Sequence, residues 1–494
     1  MNKVAAGAAA LVVVGGGCVG FGAWSGAKVA KELQAQTATV LAPFEGVKVV
    51  ENSVTTGLFS STHTVTLDLG CAPALPEDGM QPAADQAPGK PLQITWRDHV
   101  RHGPLPGGRS VGLAAIDTEL VLPADVQAQV AKLFGDQAPM RAHTVLGFGG
   151  NYVTEVTSPA FKYAEAGKGD IEWQGLRATV RGKFSSGGTP GAGAYVFEAP
   201  GLTMNFDAQG QGAGTMRLGA MKFEGSVTPV AGGSYLLSPS QGQGTLASLA
   251  ITARPKDGKP VEAVFENVAF ASESRLDAGL WGADSSMSMK GRIDDFPIDQ
   301  VDMKVSLKRL HAATYEQVIG RVMKSSFSCK SPDSEAALKD AMALQEDLMK
   351  GMGTLLVHNP EYAVDRLAVV IGGKTAEVSY RFGTKGVTEA DAALPLPALM
   401  TTKGYADATV KVDNAWIEQV VKKVVALKPA DNGMSPEESA AAAMAFIGAG
   451  IDQMAAQGIV AREGDTVVSK AAFEGGMLKV NGQPLNLPMG MMGK

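Results

Sequence analysis

The sequence predicts an α+β fold that is mostly antiparallel β: a large curved sheet or sandwich, then a C-terminal part with about three amphipathic helices and closing strands. Charged residues make up only 19% of the chain, and glycine accounts for 60 of its 494 residues, a composition typical of many strands and turns. Short stretches that alternate apolar and polar residues fill the chain up to residue 310, and helical periodicity follows. An uncharged N-terminal segment adds a predicted N-terminal transmembrane helix.

The length of the chain indicates more than one domain. A chain of 494 residues is longer than a single hydrophobic core usually serves. We expect a membrane anchor over residues 1–25, a β-rich periplasmic domain over residues 26–310 and an α+β periplasmic domain over residues 311–494. The second boundary lies where the apolar pattern changes from period two to period 3.6.

The first segment allows three interpretations, each of which exports the rest of the chain. The run from Val4 to Trp24 carries no charge and is long enough to cross a bilayer as an uncleaved anchor. Alternatively, Ala23-Trp24-Ser25 is a signal-peptide cleavage site, or Cys18 is the cysteine of a lipoprotein signal, although three glycines precede it. The length of the run favours the anchor, because the apolar cores of signal peptides are typically shorter.

Alternation predicts strands through most of the chain that follows. A helix is expected first, over residues 26–40, because Val29, Leu33 and Val40 share one helical face. The alternation around Thr62–Leu69 then predicts a strand with one buried face. Similar stretches continue to residue 307, separated by turn residues and without a convincing long helix, so residues 45–310 should be mostly antiparallel β.

Helical periodicity dominates after residue 310. The predicted helices cover residues 331–352, 413–428 and 436–457, and Ser435-Pro436-Glu437-Glu438 is a capping box. The methionine-rich faces of these helices are expected in the core, because methionine fills irregular packing gaps. The strands predicted in this part are Leu367–Ile371, Ala376–Phe382, and the arms of a closing hairpin, Val467–Phe473 and Met477–Val480.

Four short signatures, taken in order along the chain, resemble those of a known family. They are Trp24-Ser25-Gly26-Ala27-Lys28, Thr56-Gly57-Leu58-Phe59-Ser60-Ser61, His102-Gly103-Pro104-Leu105-Pro106, and Gln457-Gly458 followed by Phe473-Glu474-Gly475-Gly476-Met477-Leu478-Lys479-Val480-Asn481-Gly482. In these signatures the chain resembles the YdgA-like proteins, a bacterial envelope family of unknown function. The resemblance spans residues 20–487.

This resemblance implies a single-pass protein of the bacterial inner membrane whose bulk is periplasmic, and it implies no enzyme activity. Thr56 stands where the family has arginine, so no role is assigned to that side chain. The family-motif residues, for which we expect structural roles, are Gly57, Phe59, Ser60, His102, Gly103, Pro104, Gly458, Asn481 and Gly482.

Motifs that suggest chemistry occur in unsuitable contexts. Gly108–Gly112 matches the nucleophile elbow G-x-S-x-G around Ser110, but a proline-rich turn precedes it and a strand-like run follows it. His99 and His102 form H-x-x-H with no third metal ligand of the Cys or His type nearby in the sequence. Gly210–Gly214 lacks the Lys-Ser/Thr of a phosphate-binding loop. We therefore predict no catalytic, cofactor-binding or metal-binding residue, and no cofactor.

The net charge bears on the expected partners, and the cysteine content bears on disulfide formation. The net charge is −6 and no basic run follows the first segment, so nucleic acid is not an expected partner. Cys71 and Cys329 would form a disulfide only if the fold brought them together.

These observations favour a non-catalytic, membrane-anchored periplasmic protein that binds an envelope protein or a second copy of itself in a homodimer. The alternative is a protein that binds an apolar ligand or lipid, and the remote alternative is a serine hydrolase that uses Ser110. A dry groove lined by Val, Leu, Phe and Met would favour the lipid alternative.

Overall fold

The computed structural model describes twelve segments of the chain: residues 26–41, 47–57, 59–70, 92–108, 110–167, 169–183, 191–208, 212–230, 237–254, 259–326, 335–427 and 434–485. Cys71 and Cys329 lie outside these residues, so the disulfide between them stays a prediction.

Strands form most of the described chain. They are β1 Lys48–Thr56, β2 Ser60–Asp68, β3 Gln93–His102, β4 Ala114–Val121, β5 Arg141–Leu146, β6 Asn151–Ser158, β7 Phe161–Glu165, β8 Gly169–Trp173, β9 Leu176–Lys183, β10 Gly193–Ala199, β11 Leu202–Ala208, β12 Gly212–Leu218, β13 Met221–Val227, β14 Ser240–Arg254, β15 Val261–Asp277, β16 Leu280–Ile293, β17 Phe296–His311, β18 Glu361–Ile371, β19 Lys374–Thr384, β20 Gly404–Asp413, β21 Ala461–Glu463, β22 Thr466–Glu474, β23 Met477–Val480 and β24 Gln483–Pro484.

The helices lie at the start of the described chain, in one connection between strands, and mostly after β17. They are α1 Gly26–Leu41, α2 Ala124–Phe134, α3 Ala312–Ser326, α4 Glu335–Val357, α5 Leu396–Lys403, α6 Asn414–Leu427 and α7 Pro436–Ala456, with short 3₁₀ turns at Pro106–Gly108 and Asp391–Ala393.

The described residues form two compact units. The first contains the chain up to Gly244 together with Ser274–Gly279 and Ala312–Gly351, and the second contains Thr245–Glu273, Leu280–His311 and the chain from Met352. The predicted domain boundary near residue 310 stays a prediction.

The first unit is built on an antiparallel sheet in the order β1-β2-β3-β4-β5-β6-β9-β10-β13. Alternation decides which face of it is buried: Val65 and Leu67 on β2 are buried, while the residues between them are only half-buried. A second antiparallel group, β7-β8-β11-β12, belongs to the same unit.

Helix α1 packs its apolar face on this buried face. Leu33 is 2% exposed and packs in one cluster with Val100, Ile116 and Leu146. Leu41, two turns further on, packs near the cluster that contains Trp96. The helix therefore runs along the strands and closes the core of the first unit, as its predicted apolar stripe required.

A buried polar network joins α1 to four strands. The two nitrogens of His63 lie 2.9 Å from Asp98 Oδ2 and 2.8 Å from Asn52 Oδ1. The Asn52 side-chain nitrogen donates to the Gln34 carbonyl, so its oxygen faces the imidazole. Both ring nitrogens thus lie within hydrogen-bond distance of a side-chain oxygen. Thr118 completes the network by donating to the other oxygen of Asp98.

The second unit contains another antiparallel sheet, in the order β16-β17-β18-β19-β20-β22-β23-β24, with β21 also paired to β22. Helix α6 packs against β18, β19 and β20, and α7 packs against α6. A small core cluster contains Leu356, Val387 and Leu399.

Three of the described helices were not predicted from the sequence. Helix α2 interrupts the region where no long helix was expected, although Val126, Val130 and Leu133 recur at helical spacing. Helices α3 and α5 raise the C-terminal set to five rather than the three predicted. Helices α2 and α5 have only 11 and 8 residues and lie between strands, where a few apolar residues fit both periods.

The methionine-rich face of α4 is exposed, which corrects its expected place in the core. Leu338, Met342, Met349 and Met352 are 63%, 65%, 49% and 41% exposed. Helical periodicity shows which residues share a face but not what covers that face.

The predicted fold class was wrong in its N-terminal transmembrane helix. Residues 4–24 lie outside the described residues, and none of the helices described between residues 26 and 485 is long and apolar enough to cross a membrane. The 23-residue α4 has the length, but it carries Glu335, Lys339 and Glu346, which a bilayer core disfavours. The described fold is mostly antiparallel β-sheet with amphipathic helices.

We predict that Asp98→Ala destabilises the first unit strongly. It leaves one ring nitrogen of His63, which is 1% exposed, without its hydrogen-bond partner, and an unsatisfied buried polar group typically costs about 1–3 kcal/mol. The matched control is Asp117→Ala, whose carboxylate pairs with Arg101 and His143 at 44% exposure and should contribute about 0–1 kcal/mol. Urea unfolding of both variants measures the difference, and equal losses would contradict the contribution assigned to the buried hydrogen bond between His63 and Asp98.

Candidate functional site

Alternate side chains of β17, β18, β19, β20 and β22 form an apolar surface in the second unit. Directly paired residues point to the same side of a sheet, so the register defines its members. Four successive rows cross the five strands: Leu307, Tyr362, Phe382, Ala406 and Phe473; Val305, Val364, Tyr380, Ala408 and Ala471; Met303, Leu367, Val378, Val410 and Ser469; and Val301, Val369, Ala376, Val412 and Val467. We call these residues the apolar face.

The apolar face is open to solvent at four side chains of its first three rows, although Val364 in the second row is buried. Phe382 is 47% exposed, Leu367 and Tyr380 are 38% exposed, and Val410 is 37% exposed. On β16, Met287 and Met289 pair with the face and extend it by another strand. Exposed apolar surface of this extent, contiguous over several strands, is typical of a binding surface.

Aromatic rings form one corner of the face. The ring of Tyr362 lies 5.3 Å from Phe382 and 6.2 Å from Tyr380 between centroids, and both pairs are tilted. Such geometry lets rings pack without stacking face to face. Burial, and then the hydrogen bond with Tyr380, raises the pKa of Tyr362, so the corner stays uncharged near neutral pH.

The opposite face of the same strands is charged. In the row next to Phe382, cross-strand pairing brings Lys308, Glu361, Gly383, Tyr405 and Glu474 side by side. Because Gly383 has no side chain, the Tyr405 hydroxyl reaches across β19 and donates to Glu361 at 2.6 Å. Lys308 donates to the other oxygen of Glu361 at 2.9 Å.

Two pKa shifts follow from this arrangement. The hydrogen bond from Tyr405 is the largest cause that lowers the pKa of the Glu361 carboxyl from its ordinary 4.5, and Lys308 adds to it while burial opposes it. Burial, and then the bond to Glu361, raises the pKa of Tyr405 to about 12. Glu361 is therefore a buried anion held by neighbours, which suits a structural role better than proton transfer.

Strained backbone lies beside this network. Arg309 and Asn359 adopt left-handed φ values of 59° and 51°, and Arg309 Nε donates to the Asn359 carbonyl at 2.8 Å. Together with Tyr405 and Glu474 they line an open cavity of about 520 Å³. Its lining mixes cations with carboxylates, so no single ligand charge is favoured there.

The rings of His311 and His358 stack with centroids 4.3 Å apart. Burial, and then the neighbouring His358, lowers the pKa of His311. Among the described residues no group of three or more His, Cys, Asp and Glu side chains is arranged to hold a metal ion.

The N-terminal family-motif residues meet at one end of the first unit's sheet. The His102 amide donates to the Phe59 carbonyl at 2.9 Å, and Ser61 Oγ lies 2.8 Å from His102 Nε2. Ser60 begins β2 opposite Arg101, and its carbonyl accepts from the Gly57 amide. The structure therefore brings together two motifs that lie about forty residues apart in the sequence.

Gly103 acts through close approach rather than through a special turn conformation. A Cβ there would lie 2.0 Å from the Gly112 carbonyl oxygen, so only glycine fits between the two chain segments. Its amide donates to the Leu113 carbonyl, and a cis peptide joins it to Pro104.

The Ser61–His102 pair was missed from the sequence. Its one signal is that both residues fall on the inward face of paired strands, because Ser61 opposes Val100 and His102 lies two residues further on. A serine beside a histidine can act as a nucleophile with its base. Ser61 is 3% exposed, however, so in this conformation a substrate carbonyl does not reach it.

Ser110 and His99, which belong to the catalytic and metal-binding motifs considered in the sequence, do not contact the Ser61–His102 pair. Ser110 Oγ points to the Pro106 carbonyl at 3.4 Å. His99 lies on the opposite face of β3 from His102 and contacts Glu119 at 3.3 Å. The H-x-x-H pair therefore does not converge on one point.

The C-terminal motif residues fasten α7 to the last strands. Asn481, with φ 47°, donates from its side chain to the Gly458 carbonyl at 2.9 Å and accepts from the Lys470 amide. Gly458 and Gly482 have φ values of 74° and 80°, which glycine adopts without strain. These residues are placed to shape the fold.

The fold and surface define a mostly β protein with an exposed apolar sheet face. The chain belongs to a family of bacterial proteins of unknown function (DUF945), whose model matches residues 1–488. A comparison with curated proteins and a comparison with solved structures find no match.

We predict that Tyr405→Phe lowers stability in a pH-dependent way. The pKa of Glu361 is lowered in the folded state, so its stabilising contribution is present above 4.5 and is lost as the pH falls through the folded pKa. Removing the Tyr405 hydroxyl should cost about 1.5–3 kcal/mol at neutral pH and progressively less in acid. Chemical unfolding at a series of pH values measures this.

Tyr380→Phe is the control, because Tyr380 lies on the other face of the sheet, away from Glu361. It should change stability by an amount that does not vary with pH. A pH-independent loss in Tyr405→Phe as well would contradict the proposed coupling to Glu361.

Proposed function

We propose that this protein is an exported, non-catalytic protein of the bacterial cell envelope that binds the acyl chain of a lipid along the apolar face. The observation that carries the proposal is the continuous run of apolar rows across five strands, with Leu367, Tyr380, Phe382 and Val410 open to solvent. The bacterial family and the uncharged run Val4–Trp24 support the location.

The dimensions of the face suit an acyl chain. Five strands about 4.8 Å apart span about 19 Å, and four rows spaced by two residues cover about 20 Å along the strands. One leaflet of a bilayer core is about 15 Å thick, so a lipid tail fits on the face in an extended form. Apolar contact of this kind is non-directional and needs no catalytic group.

The charged reverse face supports binding rather than catalysis. Glu361, the most buried carboxylate of that face, is held by Tyr405 and Lys308 and is not directed at a free reaction space. Within the family, the four motifs support a YdgA-like member, for which no enzyme activity is implied.

A second candidate function is binding of a partner protein or a second copy of the chain. The exposed stripe of Leu338, Met342, Met349 and Met352 on α4 favours it, because flexible methionine side chains adapt to varied apolar partners. This stripe and the apolar face lie on different elements, so substitutions separate the two functions.

We predict that Val410→Glu weakens acyl-chain binding about tenfold or more. It places a carboxylate in the third row of the apolar face, where a bound tail would bury it. Titration of the full-length protein with a fluorescent fatty acid measures the affinity.

Thr409→Glu is the matched control, since Thr409 precedes Val410 on β20, points to the charged face and pairs with Lys470. It should bind like the wild type. If both variants bind the fatty acid with unchanged affinity, the apolar face is not the ligand site and the stripe on α4 becomes the better candidate.

A further inference from the structure

We propose that one end of the first unit's sheet docks on the surface of a lipid bilayer, through apolar side chains at the tips of three loops. The side chains are Phe59, Leu105, Val111 and Phe148, and we call them the loop-tip residues. They are 77%, 62%, 68% and 59% exposed. This inference is independent of the acyl-chain site on the second unit.

The three loops lie at the same end of the sheet because neighbouring strands are antiparallel. They connect β1 to β2, β3 to β4, and β5 to β6, which are alternate connections of one meander. Backbone hydrogen bonds join them: the His102 amide donates to the Phe59 carbonyl at 2.9 Å, and the Leu113 amide donates to the Leu146 carbonyl at 2.7 Å.

Close packing fixes the loops relative to each other. A Cβ on Gly103 would lie 2.0 Å from the Gly112 carbonyl oxygen, and one on Gly112 would lie 2.2 Å from the Leu146 carbonyl oxygen. The family-motif residues of the N-terminal half thus fix the positions of the loops that carry the loop-tip residues. Single exposed apolar residues are common, but four on adjacent loops at one end of a sheet form a patch.

Helix α1 starts at this same end. Leu33 packs against Val100 and Leu146, near the loops, whereas Leu41 packs near Trp96 and Leu67, further from them. The helix therefore runs away from the loops, and its first residue, Gly26, lies about 10 Å nearer to them than Leu33 does. The uncharged run Val4–Trp24 precedes α1 in the sequence.

The chemistry of the loops fits a lipid surface. The segments 57–59, 103–113 and 147–150 contain no acidic residue, and Arg109 is their one charged residue in the sequence. Lys28 and Lys31 lie in the first two turns of α1. Phe and Leu side chains that enter the headgroup region are typical of proteins that lie on a bilayer surface. Projecting tips, rather than a groove, favour a bilayer over a folded protein partner.

The test places an environment-sensitive NBD fluorophore at each tip of the full-length protein. Single cysteines replace Phe59, Leu105, Val111 and Phe148 in turn, in a chain with Cys18→Ser, Cys71→Ser and Cys329→Ser. The variants are reconstituted in vesicles of phosphatidylethanolamine and phosphatidylglycerol, with and without a doxyl-labelled lipid quencher. We expect a blue shift of the emission at all four positions and loss of intensity with the quencher.

Val50→Cys is the matched control. Val50 is 56% exposed and lies near the start of β1, at the other end of the same sheet, so its probe should keep the emission of a probe in water. Emission at the four tips that stays like that of a probe in water, without quenching, would overturn the proposal. The proposal would also be overturned if the emission shifted only after an envelope protein was added. Val410→Glu should leave the probe response unchanged, which separates this test from that of the acyl-chain site.

Discussion

Antiparallel pairing of long, alternating strands is the constraint on which the rest of this structure depends. Each strand must hydrogen-bond its neighbours on both sides, so every second side chain is forced onto one face of the sheet. In the second unit this places tyrosine, phenylalanine, valine and methionine on one side and lysine, glutamate and arginine on the other. The apolar face and the Glu361 network are two results of the same register, one row apart on opposite sides.

The two units use their apolar sheet faces differently. In the first, α1 covers the face: Leu33 and Trp96 are almost fully buried there, and the hydrogen-bonded pair His63–Asp98 is enclosed as well. In the second, Phe382 and Tyr380 stay open to solvent. Since exposing apolar area is unfavourable, an occupant of that surface would stabilise the unit, and we infer that a lipid tail is that occupant.

The sequence predicted what depends on neighbours along the chain. Alternation located the strand with Val378, Tyr380 and Phe382, and capping residues located α7, which begins at Pro436 after its Ser435 cap. What depends on distant neighbours was missed. Packing determines the exposure of Met342, and strand register determines the Ser61–His102 contact, so the local sequence pattern predicts neither of them. Helix α2 was missed although Val126, Val130 and Leu133 lie at helical spacing, because it is only 11 residues long and lies between strands.

The apolar face was not predicted from the sequence, which assigned no binding residue. A groove lined by Val, Leu, Phe and Met was named as the mark of a lipid-binding protein, but the register that aligns Leu307, Tyr362 and Phe382 joins residues far apart in the chain. The most direct measurement is photo-crosslinking of the full-length protein with a diazirine-labelled fatty acid, followed by peptide mapping. The account predicts adducts on alternate residues of β17 to β20, on the side of Met303, Tyr380 and Val410. Adducts on the charged side of these strands, or none on them at all, would contradict it.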